Sequence, residues 1–211
     1  MSRLGDPSGE VDFITQMFTQ DAKNYHVWSY RQWLCRTFPE VLTPKVELPS
    51  IDALLEKDVL NNSAWNHRFF LLFVSPAAPS PPSVALIERE LEFAQKAIEK
   101  APQNQSPWNY MRGAVKKAER SLLELEGFTK RYADIDLEGG KGVRSTHALD
   151  LLAEIYGMQE TKKVEADRIL VALGDRWDPI RKGYWAWRRE ELGLQRRNDT
   201  MVDTERAIIA A

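Results

Sequence analysis

The sequence predicts an all-α fold, a solenoid of antiparallel helical hairpins, and three observations carry that prediction. Apolar residues recur at spacings of three and four along one stretch after another, the period of a helix with one buried face. A tryptophan-centred template returns at intervals near 40 residues, which is the length of a helical hairpin. Turn and capping signals sit between the periodic stretches, at the template itself.

The template is clearest in DAKNYHVWSYRQWL, residues 21–34, where Asn24, Trp28 and Arg31 stand at offsets 0, +4 and +7. NNSAWNHRFFLL repeats those offsets with Asn61, Trp65 and Arg68, and NQSPWNYM repeats them with Asn104 and Trp108 but has Met111 where the arginine belongs. Asp21 and Asp58 lie seven residues before their tryptophans, so the pattern extends to D-x-x-N-x-x-x-W-x-x-R. The tryptophans are 37 residues apart (Trp28 to Trp65) and then 43 (Trp65 to Trp108).

Each element follows in order. Val11, Ile14 and Phe18, with Phe13 and Met17 beside them, predict a first helix. Asn24 is placed to cap the next helix by accepting a backbone N–H, which makes the template a helix-turn-helix corner. Ile51, Leu54 and Leu55 in PSIDALLEKDVL repeat the first helix, and Asn61 opens the second. Ser83 caps a third pair's first helix along Val84, Ile87, Leu91, Ala94 and Ile98. Pro107 is tolerated in the first turn after the APQN corner. Beyond it, DIDLEGGKGVR reads as an interruption. STHALDLLAEIYGM and TKKVEADRILVAL then supply two more amphipathic helices with Ser145 and Thr161 as caps. Asp178, Trp185 and Arg188 restore the template near the end, although Arg181 replaces the asparagine. One helical-repeat domain over residues 1–211 results, with corners near 21–34, 58–71, 101–112 and 178–190 and flexible inserts near 74–82 and 134–144.

Composition narrows the function classes. With 29 basic against 31 acidic residues, no broad polyanion-binding surface is expected. A single cysteine, Cys35, excludes an internal disulfide, and three scattered histidines (His26, His67, His147) give no clustered zinc-ligand set. The reading is of a cytoplasmic chain: MSRLGDPSGE has no apolar core of a leader, and no apolar run of ~18 residues follows it. Taken residue by residue, a tryptophan at a helical corner is a packing anchor. Arg31 and Arg68 are expected to pair with acids or corner carbonyls across repeats, since a buried charge needs a partner. GGKG at 139–142 lacks the spacing of a phosphate loop and reads as a turn. From the residues alone, a helical-repeat scaffold follows and nothing more.

The linked corners, in this order and with IRKGYW near the C-terminus, resemble the alpha subunit shared by protein farnesyltransferase and type I geranylgeranyltransferase. The related Rab geranylgeranyltransferase alpha subunit shares the repeat type with less likeness at NNSAWN and IRKGYW. The resemblance implies a crescent of hairpins wrapped around a beta subunit, with further repeats preceding Met1. It implies that the beta subunit holds the catalytic Zn2+, that Mg2+ accompanies the prenyl diphosphate, and that the reaction prenylates the cysteine of C-terminal CaaX motifs. Within this chain it implies a catalytic Lys23, matched to a corner lysine that stabilises the diphosphate, with Tyr25 and Asn61 as substrate-binding residues at the same edge. A catalytically silent helical-repeat adaptor is the alternative of a different class.

Overall fold

The first N–H groups of a helix have no intrahelical acceptor, and in this chain corner side chains supply one. Asn24 accepts from His26 N and Val27 N, Asn61 from Ala64 N, Asn104 from Ser106 N, Ser83 from Leu86 N and Ser145 from Ala148 N. Each such cap stabilises its helix by about 1 kcal/mol. The computed structural model describes residues 7–136 and 142–194. It contains the helices α1 (Ser8–Gln20), α2 (Tyr25–Thr37), α3 (Pro44–Lys57), α4 (Asn62–Phe73), α5 (Val84–Lys100), α6 (Gln105–Lys117), α7 (Glu126–Lys130), α8 (Thr146–Gly157), α9 (Lys163–Ala172) and α10 (Lys182–Glu191). The all-α, helical-repeat prediction holds: the described residues form no strand beyond one isolated bridge. None of their helices is long and apolar enough to cross a membrane.

Where the sequence predicts one domain, the chain divides into two compact units, Met1–Ser121 and Leu122–Ala211. In the first, α1 packs on α2, α3 on α4 and α5 on α6, and the second helices of the pairs, α2, α4 and α6, pack in succession. Their buried faces are the periodic ones: Ile14 and Phe18, Ile51 and Leu55, Ile87, Leu91, Ala94 and Ile98. Val84 departs from this, being exposed directly after its cap. At Gly113 a Cβ would lie 2.8 Å from the Phe69 ring, so the missing side chain is what lets α6 close on α4. Helix α3 also starts earlier than PSIDALL suggests. Pro44 occupies its first turn, where a missing N–H costs nothing, and the helix runs on through Pro49, which points to solvent. That extra turn carries Glu47 into the core.

Residues 74–82 form a run of turns tied to the end of α4. Ser75 N donates to Phe70 O (2.7 Å) and Ser75 Oγ to Leu71 O (2.9 Å). Of the second expected insert, residues 137–141 lie outside the described residues. On either side of them Asp134 N donates to Gly142 O and Arg144 N to Tyr132 O.

In the second unit α8 packs on α9 and α9 on α10, over a core of Leu149, Leu151, Leu152, Ile155, Ile169 and Leu170. Thr161 is not the cap of α9. The chain enters that helix through a 3-10 turn, Glu160–Lys162, so Thr161 sits inside the turn rather than in the extended conformation a capping residue needs. After α9 a π-turn, Leu173–Trp177, delivers the chain to the last corner.

Candidate functional site

The corners are built on one backbone oxygen each. Trp28 Nε1 donates to Ala22 O (2.9 Å), Trp65 Nε1 to Val59 O (2.9 Å) and Trp108 Nε1 to Pro102 O (2.8 Å). In every case the acceptor lies six residues before the tryptophan. The corner asparagine of the following repeat reaches the same oxygen: Asn61 Nδ2 donates to Ala22 O (3.0 Å) and Asn104 Nδ2 to Val59 O (2.7 Å). The asparagine therefore caps its own helix with Oδ1 and bridges to the preceding repeat with Nδ2. This explains why the template requires an amide rather than serine or aspartate, both of which would cap equally well.

Of the three residues implied by the resemblance, two are exposed and one is buried. Lys23 lies in the α1–α2 corner, its side chain 58% exposed and its Nζ 3.0 Å from Asp58 Oδ2 of the next corner. Its backbone N donates to Asp21 Oδ1 (2.9 Å), which fixes the turn that presents it. Tyr25 is the first residue of α2 and 76% exposed, with its ring edge-on to His26 at 5.5 Å. Asn61 is fully buried, both ends of its amide committed to backbone groups. It shares the edge with Lys23 by holding the corner that carries Lys23's partner. The residues five before each tryptophan are Lys23, Leu60, Gln103 and Ile180, so of the four corners the first alone offers a cation at this position.

The template arginines do pair with acids, as the sequence predicts. Arg31 Nε donates to Glu47 Oε2 (2.7 Å) and its guanidinium also reaches Ser50. Arg68 forks onto Glu90 at 2.7 and 3.0 Å and also meets Asp52. Burial raises the Glu90 carboxyl, but the hydrogen bond and charge of Arg68 outweigh it and leave the group below the ordinary carboxylate range. Where the third repeat has Met111 for arginine, Tyr110 donates its hydroxyl to Glu90 Oε2 (2.6 Å) instead.

A second cluster lies in the core, and the sequence reading did not foresee it. Cys35, Glu47 and His67 are all buried with ligand-capable atoms within 4.8 Å of one another. His67 Nε2 is 3.4 Å and Cys35 Sγ 3.8 Å from Glu47 Oε2. The expectation of scattered histidines and no ligand cluster is corrected to that extent, because folding joins residues 12 and 20 positions apart. The donor set nevertheless does not suit a cation. The guanidinium of Arg31 sits on the same oxygen, burial pushes the Cys35 thiol up to about 12, and burial holds His67 below its ordinary value and neutral. Burial raises the Glu47 carboxyl, but the His67 hydrogen bond and Arg31 bring it down to about 2, so the set works as a hydrogen-bonded hub around one carboxylate.

The last corner differs. Trp185 Nε1 donates to the carboxylate of Asp178 (3.1 Å), and Arg181 pairs with that same carboxylate. Arg188 turns back to Asp150 Oδ1 at 3.2 Å and to Glu154 Oε2 at 3.5 Å.

An array of helical hairpins whose corners share Trp, Asn and Arg roles in this way defines a helical-repeat protein whose successive hairpins are joined at their corners. The family model "Protein prenyltransferase alpha subunit repeat" matches residues 7–38, 44–74 and 87–118, the three hairpins of the first unit. The protein farnesyltransferase/geranylgeranyltransferase type-1 subunit alpha of Candida albicans is 37% identical over 223 aligned positions, covering 87% of this chain and 71% of that protein. Its counterpart in Dictyostelium discoideum is 38% identical over 152, covering 71% of this chain and 45% of the relative. Among solved structures, Candida albicans protein geranylgeranyltransferase-I complexed with GGPP matches with a TM-score of 0.79 and 38% identity, over 89% of this chain and 59% of that one. The chain belongs to the protein prenyltransferase alpha-subunit family. It spans about half the length of the Dictyostelium relative and about seven tenths of the Candida one.

Proposed function

We propose that this chain is the alpha subunit of a heterodimeric protein prenyltransferase. It scaffolds a beta subunit and stabilises the diphosphate of a farnesyl or geranylgeranyl donor while the prenyl group passes to the cysteine of a C-terminal CaaX motif. The observation that carries the reading is the α1–α2 corner. There a lysine unique to this register stands exposed beside an exposed tyrosine at a helix start, in a chain 37% identical to a type-1 alpha subunit. As the C–O bond to the prenyl carbon breaks, negative charge grows on the diphosphate oxygens. A cation already in place there lowers the barrier without reorganising. Lys23 supplies that cation and Tyr25 a hydroxyl donor; Asn61 keeps the second corner in register with the first. The Zn2+ that such an enzyme uses belongs to the beta subunit in this reading, since the one cluster of ligand types among the described residues is closed by Arg31. Mg2+ enters with the prenyl diphosphate in this reading; both acids of this edge already hold backbone N–H groups, Asp21 that of Lys23 and Asp58 that of Leu60, and Asp58 is also paired with Lys23.

The test is co-expression with a type I beta subunit and single-turnover transfer from geranylgeranyl or farnesyl diphosphate to a dansylated CaaX peptide. Lys23→Ala is expected to slow transfer roughly a hundredfold while leaving diphosphate binding nearly intact, as removal of a preorganised donor does. A wild-type rate in an assembled Lys23→Ala complex would leave the chain a scaffold alone.

A further inference from the structure

We propose that Asp58 is a positioning residue for Lys23, holding the ammonium at the corner edge so that it meets the diphosphate already oriented. The inference rests on the reading of Lys23 just given and adds a residue from the neighbouring repeat to it. A lysine has four rotatable side-chain bonds, and an exposed one samples many rotamers. Lys23 is restrained at both ends: its backbone N is bonded to Asp21 Oδ1 (2.9 Å) and its Nζ to Asp58 Oδ2 (3.0 Å). The restraint has force because Asp58 is itself fixed. Its other oxygen, Oδ1, accepts Leu60 N (2.9 Å), and its carbonyl accepts Asn61 N (3.0 Å), so the carboxylate belongs to the corner backbone rather than to a free side chain. The hydrogen bond from Lys23 lowers the Asp58 carboxyl further, which keeps it charged through the neutral range.

The pair also explains a difference among the corners. Asp21, Asp58 and Asp178 hold the same template position, and Asp21 Oδ1 and Asp58 Oδ1 each accept the backbone N–H two residues on. Asp58 adds an ion pair to the preceding corner, and the residue it reaches is the one cation in that register. A carboxylate next to a diphosphate site opposes ground-state binding of the anion while it orients the donor. Loss of Asp58 should therefore move binding and rate in opposite directions. A merely structural role would weaken both.

The test uses Asp58→Asn in the full chain co-expressed with a type I beta subunit. Asparagine keeps the acceptor for Leu60 N and removes the charge. Geranylgeranyl diphosphate is expected to bind as tightly as to wild type or more tightly, and single-turnover transfer to the dansylated peptide to slow by about tenfold, the scale of a modestly misplaced catalytic group. Adding Asp58→Asn to Lys23→Ala should cost nothing further, since the residue acts through the lysine. Should the asparagine variant fail to assemble, Asp58→Ser, which also offers a hydroxyl to Leu60 N, makes the same comparison. A wild-type rate in the Asp58 variant, an equal slowing in the Lys23→Ala background, or weakened diphosphate binding overturns the proposal while leaving Lys23 in place. An unimpaired Lys23→Ala complex overturns both.

Discussion

At the α3–α4 corner the tryptophan indole donates to a backbone oxygen that also receives an asparagine from the next repeat, whereas at the corner before α10 it donates to the Asp178 carboxylate, which is held by Arg181 three residues on. The first arrangement makes neighbouring repeats share an acceptor. The second closes on itself. Asn61 and Asn104 each serve two repeats at once, so a defect at one corner of the first unit is felt at the next, while the indole bond of the last corner stays within that corner and its link backward runs through Arg188 to α8. The same template letters thus encode a cooperative joint in one place and a local one in the other, and the asparagine is the residue that decides.

The comparison breaks most visibly if the tryptophan goes. Trp65→Ala removes a buried ring and the indole bond to Val59, and is expected to destabilise the first unit by about 3 to 5 kcal/mol in chemical denaturation. Acid separates the units next. Glu47 stands at about 2 against burial because His67 and Arg31 hold it down, and Glu126 in the second unit stands at about 2 because Lys130 and Lys162 bond to it at the surface. Both carboxyls are lowered, so the stability each confers is present above about pH 4.5, the ordinary value, and is lost as the pH falls toward 2. Urea melts across that window should show the Glu126 part screened away by 1 M salt and the buried Glu47 part retained, with Glu47→Gln abolishing the latter. The smallest contrast is the most direct. Asn61→Ala loses both a cap and a buried bridge and should cost about 2 kcal/mol, while Arg181→Ala loses an exposed pair and should cost less than about 1 kcal/mol. Equal losses at the two positions would erase the distinction between shared and closed corners.

What could be read from the sequence was local. Asn24, Asn61, Ser83 and Ser145 announced helix starts because a cap and its acceptor lie within three residues of each other, and the buried faces followed from their spacing. Thr161 has a cap's chemistry too, but it lies in the middle of the 3-10 turn Glu160–Lys162 and so is not the residue at which α9 begins. The joints between repeats were out of reach. Asn61 and Ala22 are 39 residues apart and Lys23 and Asp58 are 35 apart, so each of these contacts forms between repeats and lies beyond the few residues that a capping or periodicity signal spans. The cluster around Glu47 was hidden in the same way, since Cys35, an ordinary small residue in its own helix, acquires its neighbours only when α3 begins one turn early at Pro44.

The shared carbonyl also sets what evolution and engineering are free to change. Trp65 and Trp108 are six residues further apart than Trp28 and Trp65, yet the bridge from Asn104 to Val59 is as well formed as the one from Asn61 to Ala22. The extra length lies after α4: the connection 74–83, anchored by Ser75, is four residues longer than 38–43, and α5 is three residues longer than α3, while α4 is one shorter than α2. Register is kept through space, corner to corner, and contour length is free to vary at the distal tip. Residues 76–82 are accordingly a grafting port, where an epitope tag or a fluorescent reporter can be spliced into the polypeptide without disturbing the edge that carries Lys23.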